Sequence, residues 1–294
     1  MFFTVIIPTY NSANTLYYTL SSLFSSRFPQ SKFEVIIVDY HSIDDTLSIA
    51  RKFPVKIYSI TKKGAAAARN LGIQKSRGSI ICFTDSDCMV PEDWLSKILN
   101  FFNNHPFVDG VGGPLFPYYY QNSIQKFAAE VFVEGKVFYN KTIEVKPGIF
   151  TSGYLMTSNC AYRKDVFNSV NFDESFLTAY EDVELCWNLA EKGNHLIFNP
   201  DIKMFHIFPW TLKGLFKQWF KYGMGATKLD KKYFGKNPID ELKSIYYNFT
   251  ILGYVWMKHF FSLLSPLSSN KTSKLLNCFK LSSYYLGTVY GLLR

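Results

Sequence analysis

The sequence predicts an α/β fold with a mainly parallel central sheet flanked by helices. Short apolar runs of five to seven residues alternate with helical patterns in the first third of the chain, as in sheets whose strands are buried on both faces. Hydrophobic residues make up 48% of the 294 residues. This composition excludes a disordered chain and allows one large domain, alone or with an appendage.

The predicted elements follow one another in a regular order. Strands are predicted at 2–8, 33–39, 55–60 and 79–84. Helices are predicted between them at 14–26, 44–53 and 64–76. The later pattern predicts a strand and turn at 110–117, a strand and short helix at 152–167, and a helix at 181–193. Because ligands bind outside the carboxyl ends of parallel strands, we expect the functional residues at that edge.

Acidic residues stand at these strand ends. Asp39 ends the second strand, and the D-x-D pair Asp85 and Asp87 follows the fourth. Two like charges beside a buried strand repel each other and lose hydration unless a cation joins them. Mg²⁺ or Mn²⁺, held by carboxylates and by substrate phosphates, is the usual solution. D-x-D arises about once by chance in a chain of this length, so the motif alone is weak evidence. The prediction of a metal-bound diphosphate depends on the position of the pair at the end of a strand.

Four sequence blocks resemble the family-2 glycosyltransferases in order and spacing. They are VIIPTYN (5–11), VIIVDYHSIDDT (35–46), GAAAARNLGIQKSRGSIICFTDSDCMVPEDWL (64–95) and FDESFLTAYEDVELCWNLAEKG (172–193). The resemblance covers roughly residues 3–210. It implies the GT-A fold and a metal-dependent, inverting, hexosyltransferase-like transfer from a nucleotide-diphosphate sugar, such as a UDP-sugar, to an acceptor hydroxyl.

The resemblance also implies a nucleotide-binding set. Its members are Pro8, Thr9, Tyr10, Asp39, Arg69 and Asp85. A carboxylate such as Asp39 accepts a hydrogen bond from a base N–H, and a guanidinium such as Arg69 suits phosphate or base oxygens. The alternatives are a plain loop or helix-cap aspartate and a surface arginine on a structural helix. The segment after Asp39 departs from the family, since it places Tyr-His-Ser where relatives usually have Asp-Gly/Asn-Ser.

Catalytic and metal-binding roles follow from the same resemblance. Asp182 is the expected base that takes the proton of the acceptor hydroxyl, and Glu181 is its supporting carboxylate. The alternative is an acidic first turn that only favours the helix dipole. The expected metal ligands are Asp87 and Asp85, joined by His206, which is alternatively a structural histidine.

Two further residues are expected to border the acceptor or donor sugar. They are Trp94 and Asn159; the alternative for Trp94 is packing at a helix start. The family's Q-x-x-R-W block is missing, and KQWFK at 217–221 is at most distantly similar. This departure favours addition of a single sugar over processive polysaccharide synthesis.

The carboxyl-terminal part differs in charge, so we predict a catalytic domain at 1–210 and a helical extension at 211–294. Residues 213–294 carry 13 basic and 3 acidic residues, a net +10, whereas residues 1–212 carry 19 and 20, a net −1. From Leu212 lysines recur every fourth residue beside an apolar aromatic stripe, which indicates an amphipathic helix. The apolar stretch 244–264 is just long enough to span a bilayer, but interfacial embedding is the preferred interpretation.

The tail has twelve lysines and one arginine, Arg294. Base readout depends on arginine and attraction to anionic lipid does not, so we expect a membrane surface and no nucleic acid as partner. The acceptor is then a glycan or a lipid-linked molecule, and the expected location is the cytoplasmic face of a membrane, peripheral or with a weak carboxyl-terminal anchor. The alternative is an appendage that packs on the catalytic domain or on another subunit.

Two other functions remain open from the sequence. A nucleotidyltransferase shares the expected fold, but its Gly-rich first loop with Arg and Lys is missing from VIIPTYNSANT. A non-catalytic sugar-nucleotide-binding subunit would have no need for Asp85, Asp87 and Asp182 together. The five cysteines form no C-x-x-C pair, which predicts reduced and mostly buried thiols, as in a cytosolic protein.

Overall fold

The alternation of strands and helices predicted for the first part of the chain is present in the computed structural model, which describes residues 1–134, 140–148, 153–235 and 271–292. The strands are β1 Phe3–Thr9, β2 Phe33–Asp39, β3 Lys56–Ser59, β4 Ile80–Phe83, β5 Cys88–Met89, β6 Gly110–Gly112, β7 Leu115–Pro117, β8 Ile143–Glu144, β9 Cys160–Arg163, β10 Leu196–Phe198 and β11 Met204–His206. The α-helices are α1 Leu16–Phe24, α2 Thr46–Ala50, α3 Ala65–Lys75, α4 Trp94–Asn104, α5 Ser123–Glu134, α6 Glu181–Glu191, α7 Leu212–Phe234 and α8 Lys271–Leu292.

Eight strands form the central sheet in the order β3-β2-β1-β4-β9-β6-β10-β8. The four strands that the sequence predicts, β1 to β4, are parallel to one another. In their register Thr9 lies beside Asp39, and Ile6 lies beside Phe83. The carboxyl ends of β1, β2 and β4 therefore meet at one edge of the sheet, where the sequence places its acidic residues.

Strands β1 and β2 are central in the sheet because their mostly apolar side chains are buried on both faces. All seven residues of β2 are buried, as are six of the seven in β1. Helix α3 packs tightly on β1 because residue 72 is glycine: a Cβ there would lie 2.5 Å from Cγ2 of Ile6. Any larger residue at Gly72 would push the helix off the sheet.

Helix α2 is shorter than the predicted 44–53, and a side chain explains why it begins later. The Asp44 carboxylate accepts hydrogen bonds from the backbone N–H groups of Ala13, at 3.1 Å, and Thr46, at 3.1 Å. Residues before Thr46 therefore form a loop that is tied to the loop after β1. Such local side-chain bonds compete with helical pairing.

A second sheet of three strands, in the order β5-β11-β7, lies outside the predicted pattern. Its strands have only two or three residues each. Strand β11 pairs antiparallel with β5, and His206 lies opposite Cys88. This pairing brings a residue from late in the chain next to the turn that follows β4.

The chain divides into two units. The first comprises residues 1–119, 133–177 and 181–207, and the second comprises 120–132, 178–180 and 208–294. The longest segment of the second unit starts at residue 208, and two earlier segments that the sequence does not mark belong to it as well. The predicted division at 210/211 stays a prediction.

In the second unit, α7 has well-defined ends. The Thr211 hydroxyl accepts a hydrogen bond from the N–H of Gly214 at 3.1 Å, and Gly235 ends the helix in the left-handed conformation. Helices α7 and α8 approach so closely that a Cβ on Gly223 would lie 2.0 Å from the carbonyl oxygen of Tyr284. The amphipathic pattern from Leu212 is thus confirmed as a helix.

None of the helices in the described ranges is long and apolar enough to cross a membrane. The stretch 244–264 lies outside the described residues. All five cysteines are buried and free of disulfides, as predicted.

Candidate active site

The loops after β1 and β2 are joined through Asp39. This residue is 1% exposed. Its carboxylate accepts hydrogen bonds from the Thr9 hydroxyl at 3.0 Å, the Ser42 hydroxyl at 2.6 Å and the Ser42 N–H at 2.9 Å. The carboxylate therefore anchors the loop, which is the alternative role, and its contact with a nucleotide base stays a prediction.

An exposed aromatic pair lies just beyond these strands. Tyr10 is 58% exposed, and its ring centroid lies 5.4 Å from that of Tyr40. Asn11 and His41 adopt positive φ angles of 49° and 47°, which is unusual for residues other than glycine and is frequent at functional sites. Pro8 lies inside β1, beside Val38, so it contributes backbone position.

Arg69 lies between two of the predicted carboxylates. Its Nη2 donates to Oδ1 of Asp85 at 2.9 Å, and its Nη1 donates to Oε1 of Glu181 at 2.8 Å. Burial by itself would lower the pKa of Arg69, but the charges of Asp85 and Glu181 overcome that effect and raise it. The side chain is 3% exposed and holds two acidic residues together, which excludes the alternative of a surface arginine. Its contact with nucleotide oxygens stays a prediction.

Asp87 is paired with His206. The Nε2 atom of His206 lies 3.3 Å from Oδ1 of Asp87. Burial by itself would lower the pKa of His206, but the carboxylate of Asp87 raises it. Burial and the nearby charge of Asp87 also affect Asp85: they raise its pKa against the opposing effect of Arg69. The two aspartates after β4 therefore repel each other even though each has a cationic partner.

Asp87 and His206 also provide oxygen and nitrogen atoms that suit a divalent cation. With the thiol of Cys88, their ligand atoms lie within 4.8 Å of one another. Apart from its 3.3 Å contact with Nε2 of His206, the buried Oδ1 of Asp87 has no hydrogen-bond donor among the described residues. Burial raises the pKa of the Cys88 thiol well above its usual value, so it stays protonated. The oxygen and nitrogen ligands fit Mg²⁺ or Mn²⁺, whereas a neutral thiol does not.

Two serines near this site escaped the sequence analysis. The hydroxyl of Ser86, between the two aspartates, lies 2.8 Å from the hydroxyl of Ser12 in the loop after β1. The N–H of Ser12 in turn donates to the Thr46 hydroxyl at 2.7 Å. These contacts join the D-x-D turn to the loops after β1 and β2. The only sequence signal is their position next to the motifs, because serine is common in loops.

Asp182 lies in the first turn of α6. Its Oδ1 accepts a hydrogen bond from the N–H of Val183 at 2.9 Å. The charge of Asp182 contributes to the raised pKa of Arg69, so it belongs to the same electrostatic cluster as Asp85 and Glu181. The structure thus brings together the acidic residues of two distant motifs.

The structure corrects the expectation for Trp94 and Asn159. Trp94 is 1% exposed and Asn159 is fully buried. The indole Nε1 donates to Oδ1 of Asn159 at 2.8 Å, and the Asn159 amide donates to the carbonyl oxygens of Pro114 and Ile202. A sugar needs an exposed aromatic face for stacking, so these two side chains support the interior instead.

Known proteins resemble this chain in sequence and in structure. Residues 4–170 match the family described as Glycosyl transferase family 2. Glycosyltransferase AglE of Haloferax volcanii is 32% identical over 235 residues, which cover 78% of this chain and 74% of that protein. A Methanococcus voltae enzyme named dolichyl N-acetyl-alpha-D-glucosaminyl phosphate 3-beta-D-2,3-diacetamido-2,3-dideoxy-beta-D-glucuronosyltransferase is 25% identical over 252 residues, 79% of this chain and 74% of that protein.

A solved structure has the same architecture. The mannosyltransferase PcManGT from Pyrobaculum calidifontis, in complex with GDP-Man and Mn²⁺, aligns with a TM-score of 0.61 over 99% of this chain and 73% of that chain. Its sequence identity of 18% makes this a likeness of fold, which confirms the predicted GT-A architecture. The matched motifs, the relatives and the fold agree: the chain belongs to glycosyl transferase family 2 and is a glycosyltransferase that transfers a sugar from a nucleotide sugar.

Proposed function

We propose that the protein is a metal-dependent, inverting glycosyltransferase that acts on a lipid-linked acceptor at a membrane surface. The observation that carries the metal dependence is the charge of the site. Asp85, Glu181 and Asp182 lie around Arg69, and Asp87 pairs with His206. With His206 protonated, four negative charges face two positive ones.

This excess of negative charge costs free energy in the absence of a further cation. Asp87 and His206 would hold a divalent cation, and Asp85 lies at the same turn. Mn²⁺ or Mg²⁺ bound there would neutralise the charge that develops on the departing nucleoside diphosphate. The complex of the related fold with GDP-Man and Mn²⁺ supports this assignment.

Inversion by direct displacement requires a base on the acceptor side of the sugar. Asp182 is our candidate, and its oxygen would take the proton of the acceptor hydroxyl as that oxygen forms the new bond to the anomeric carbon. Glu181 accepts a hydrogen bond from Arg69, so we assign it the role of fixing the first turn of α6. Arg69 then acts as a positioning residue, because it joins Asp85 of the metal side to Glu181 of the base side.

The nucleotide has a separate place at the ends of β1 and β2. The exposed ring of Tyr10, beside Tyr40, offers a face on which a base can stack. Thr9 and Asp39 keep that loop in position. The donor is a UDP-, GDP- or dTDP-sugar, which the experiment below distinguishes.

The acceptor and the membrane follow from two other observations. A relative is named for its action on a dolichyl-phosphate-linked sugar. Residues 213–294 carry a net +10, which suits an anionic lipid surface and a cytoplasmic-face location. A lipid-linked acceptor would be found at such a surface.

A thermal-shift screen of UDP-, GDP- and dTDP-sugars, with and without Mn²⁺, tests the proposal. A ligand that binds the native state raises the melting temperature, so one nucleotide class should do so strongly and only with the metal. Release of nucleoside diphosphate should stop in EDTA and return with Mn²⁺. Equal turnover in EDTA would refute the metal role, and donor binding without turnover on a broad acceptor panel would favour a non-catalytic subunit.

A further inference from the structure

Asn70 of α3 binds the start of the segment 172–181, which leads directly to Asp182. The N–H of Phe172 donates to Oδ1 of Asn70 at 3.0 Å, and Nδ2 of Asn70 donates to the carbonyl oxygen of Phe172 at 2.9 Å. One side-chain amide therefore pairs with both backbone groups of a single residue, as a neighbouring strand does in a sheet. This pairing fixes the backbone of Phe172 relative to α3.

The end of the segment is bound to the same helix. Arg69, which precedes Asn70 in α3, donates to Oε1 of Glu181 at 2.8 Å. Its Cζ atom also lies 5.7 Å from the ring centroid of Phe172, so the guanidinium contacts the start of the segment as well. Two adjacent residues of one helix thus hold both ends of the segment, and Asp182 follows it directly.

Further contacts hold the segment between its ends. Nδ2 of Asn70 also donates to Oε1 of Glu174 at 2.8 Å, and Glu174 forms an ion pair with Lys62. The hydrogen bonds from Asn70 and Lys62 lower the pKa of Glu174, so its carboxylate stays ionised. Leu177 packs on the residue before α3, since a Cβ on Gly64 would lie 3.5 Å from Cδ2 of Leu177. These contacts are all made to α3 or to the residues that lead into it.

The start of α6 needs such support. Tyr180, immediately before Glu181, has a φ angle of 70°. This left-handed conformation costs free energy for a tyrosine and persists only where the surrounding contacts impose it. A general base must stand within hydrogen-bond reach of its proton, and a displacement of about 1 Å can cost about 10²-fold in rate. The position of Asp182 therefore depends on how firmly the preceding segment is held.

We infer that Asn70 is a positioning residue for the transfer reaction. Its hydrogen bonds to Phe172 and Glu174 fix the segment that leads to Asp182, and so they fix the place of the base. The inference deepens the proposed function and rests on it, because Asp182 is the proposed base.

The first test replaces Asn70 in the full chain. Replacing Arg69 would also release Asp85 beside the metal site, so Asn70→Ala is the more selective change. Asn194→Ala is the matched control, because the Asn194 amide donates to the carbonyl oxygen of Leu189 at 3.0 Å, at the opposite end of α6. Release of nucleoside diphosphate is measured with the donor that gives the Mn²⁺-dependent thermal shift. N-acetylglucosaminyl citronellyl phosphate and water serve as acceptors.

We expect Asn70→Ala to lower kcat by about tenfold to a hundredfold, because the base is displaced. The KM of the donor should stay within about twofold and the Mn²⁺-dependent shift should persist, because the metal side is unchanged. Amide hydrogen exchange within 172–182 should become faster, since this segment opens more easily. Asn194→Ala should keep the wild-type kcat per folded molecule. Wild-type kcat or wild-type exchange in Asn70→Ala, or an equal loss of kcat in Asn194→Ala, would overturn the inference.

A second pair of substitutions decides the question if Asn70→Ala does not fold. Asn70→Asp places a carboxylate beside that of Glu174 and should lower kcat by at least about tenfold. Adding Glu174→Gln restores a donor between the two side chains and should recover at least about threefold. Glu174→Gln alone should lower kcat less than Asn70→Asp does. An equal kcat in Asn70→Asp and in the double variant would contradict the positioning role.

The same measurements separate this inference from the proposed function. If Asp182→Asn lowers kcat as a base requires and Asn70→Ala does not, the inference fails and the proposed function stands. If the wild type releases no nucleoside diphosphate with either acceptor, the proposed function fails, and the role of Asn70 in transfer is overturned with it. Faster exchange in Asn70→Ala would then identify a structural anchor only.

Discussion

The two ends of the central sheet both carry carboxylates beside an arginine, yet they compensate the negative charge differently. At the amino end, Glu34 accepts hydrogen bonds from the Thr4 hydroxyl at 2.8 Å, the Arg77 N–H at 2.7 Å and the Lys56 ammonium at 2.7 Å. One acid there has two cationic partners, Lys56 and Arg77. Although burial alone would raise it, these partners lower the pKa of Glu34 to about 2.

At the carboxyl end the balance is reversed. Four acids surround Arg69 and His206, and the pKa of Asp85 is raised because the carboxyl is partly desolvated and lies near the charge of Asp87. The comparison shows how stability and function separate on one sheet. The amino end is fully compensated by its own side chains, so it stabilises the fold. Among the described residues, the carboxyl end carries more acidic than basic side chains, which suits the metal-dependent catalysis that we propose.

Asp182→Asn should reduce turnover more than any other substitution considered. A small effect would contradict the assignment of the carboxyl end of the sheet to catalysis. Removing a general base costs about 10²–10⁴-fold in rate. We expect kcat to fall by that amount, with the donor's thermal shift unchanged, because an amide cannot take the acceptor proton. Steady-state kinetics with the identified donor measure it; a wild-type kcat would assign the base elsewhere.

Asp87→Asn should reduce turnover by about 10²–10³-fold, the range for losing one electrostatic group at a reacting centre. The Mn²⁺-dependent thermal shift should disappear as well. Without metal, the melting temperature should stay close to that of the wild type, since the repulsion of Asp85 is relieved. Marked destabilisation of the Asp87→Asn protein would mean that the carboxyl end of the sheet stabilises the fold, as the amino end does.

Glu34→Gln should affect stability and leave turnover per folded molecule unchanged. The shift from 4.5 to about 2 corresponds to about 2–3 kcal/mol once the exposure of Lys56 and Arg77 is allowed for. Because the pKa is lower in the folded state, this contribution is complete above pH 4.5 and is lost as the pH falls toward 2. Urea unfolding of both proteins at pH 7 and near pH 3 should show the difference shrinking in acid; a constant difference would contradict it.

Local patterns predicted the strands well because each has a continuous apolar run. The buried residues of β1 and β2 needed no knowledge of their partners. The predicted start of a helix was wrong where a side chain competed for backbone hydrogen bonds, as Asp44 does before α2. Trp94 was assigned to a sugar because an aromatic residue after a motif looks the same in sequence whether it is exposed or, as here, bonded to Asn159.

The sequence by itself determined the parallel strands, the acidic residues at their ends and the family, since these depend on local apolar runs and on motif spacing. Only the tertiary structure decided which charges meet. Arg69 bonds to Asp85 and, 112 residues away in sequence, to Glu181, and β11 brings His206 to Asp87. Charge compensation depends on distances and burial in three dimensions, and a linear pattern contains neither.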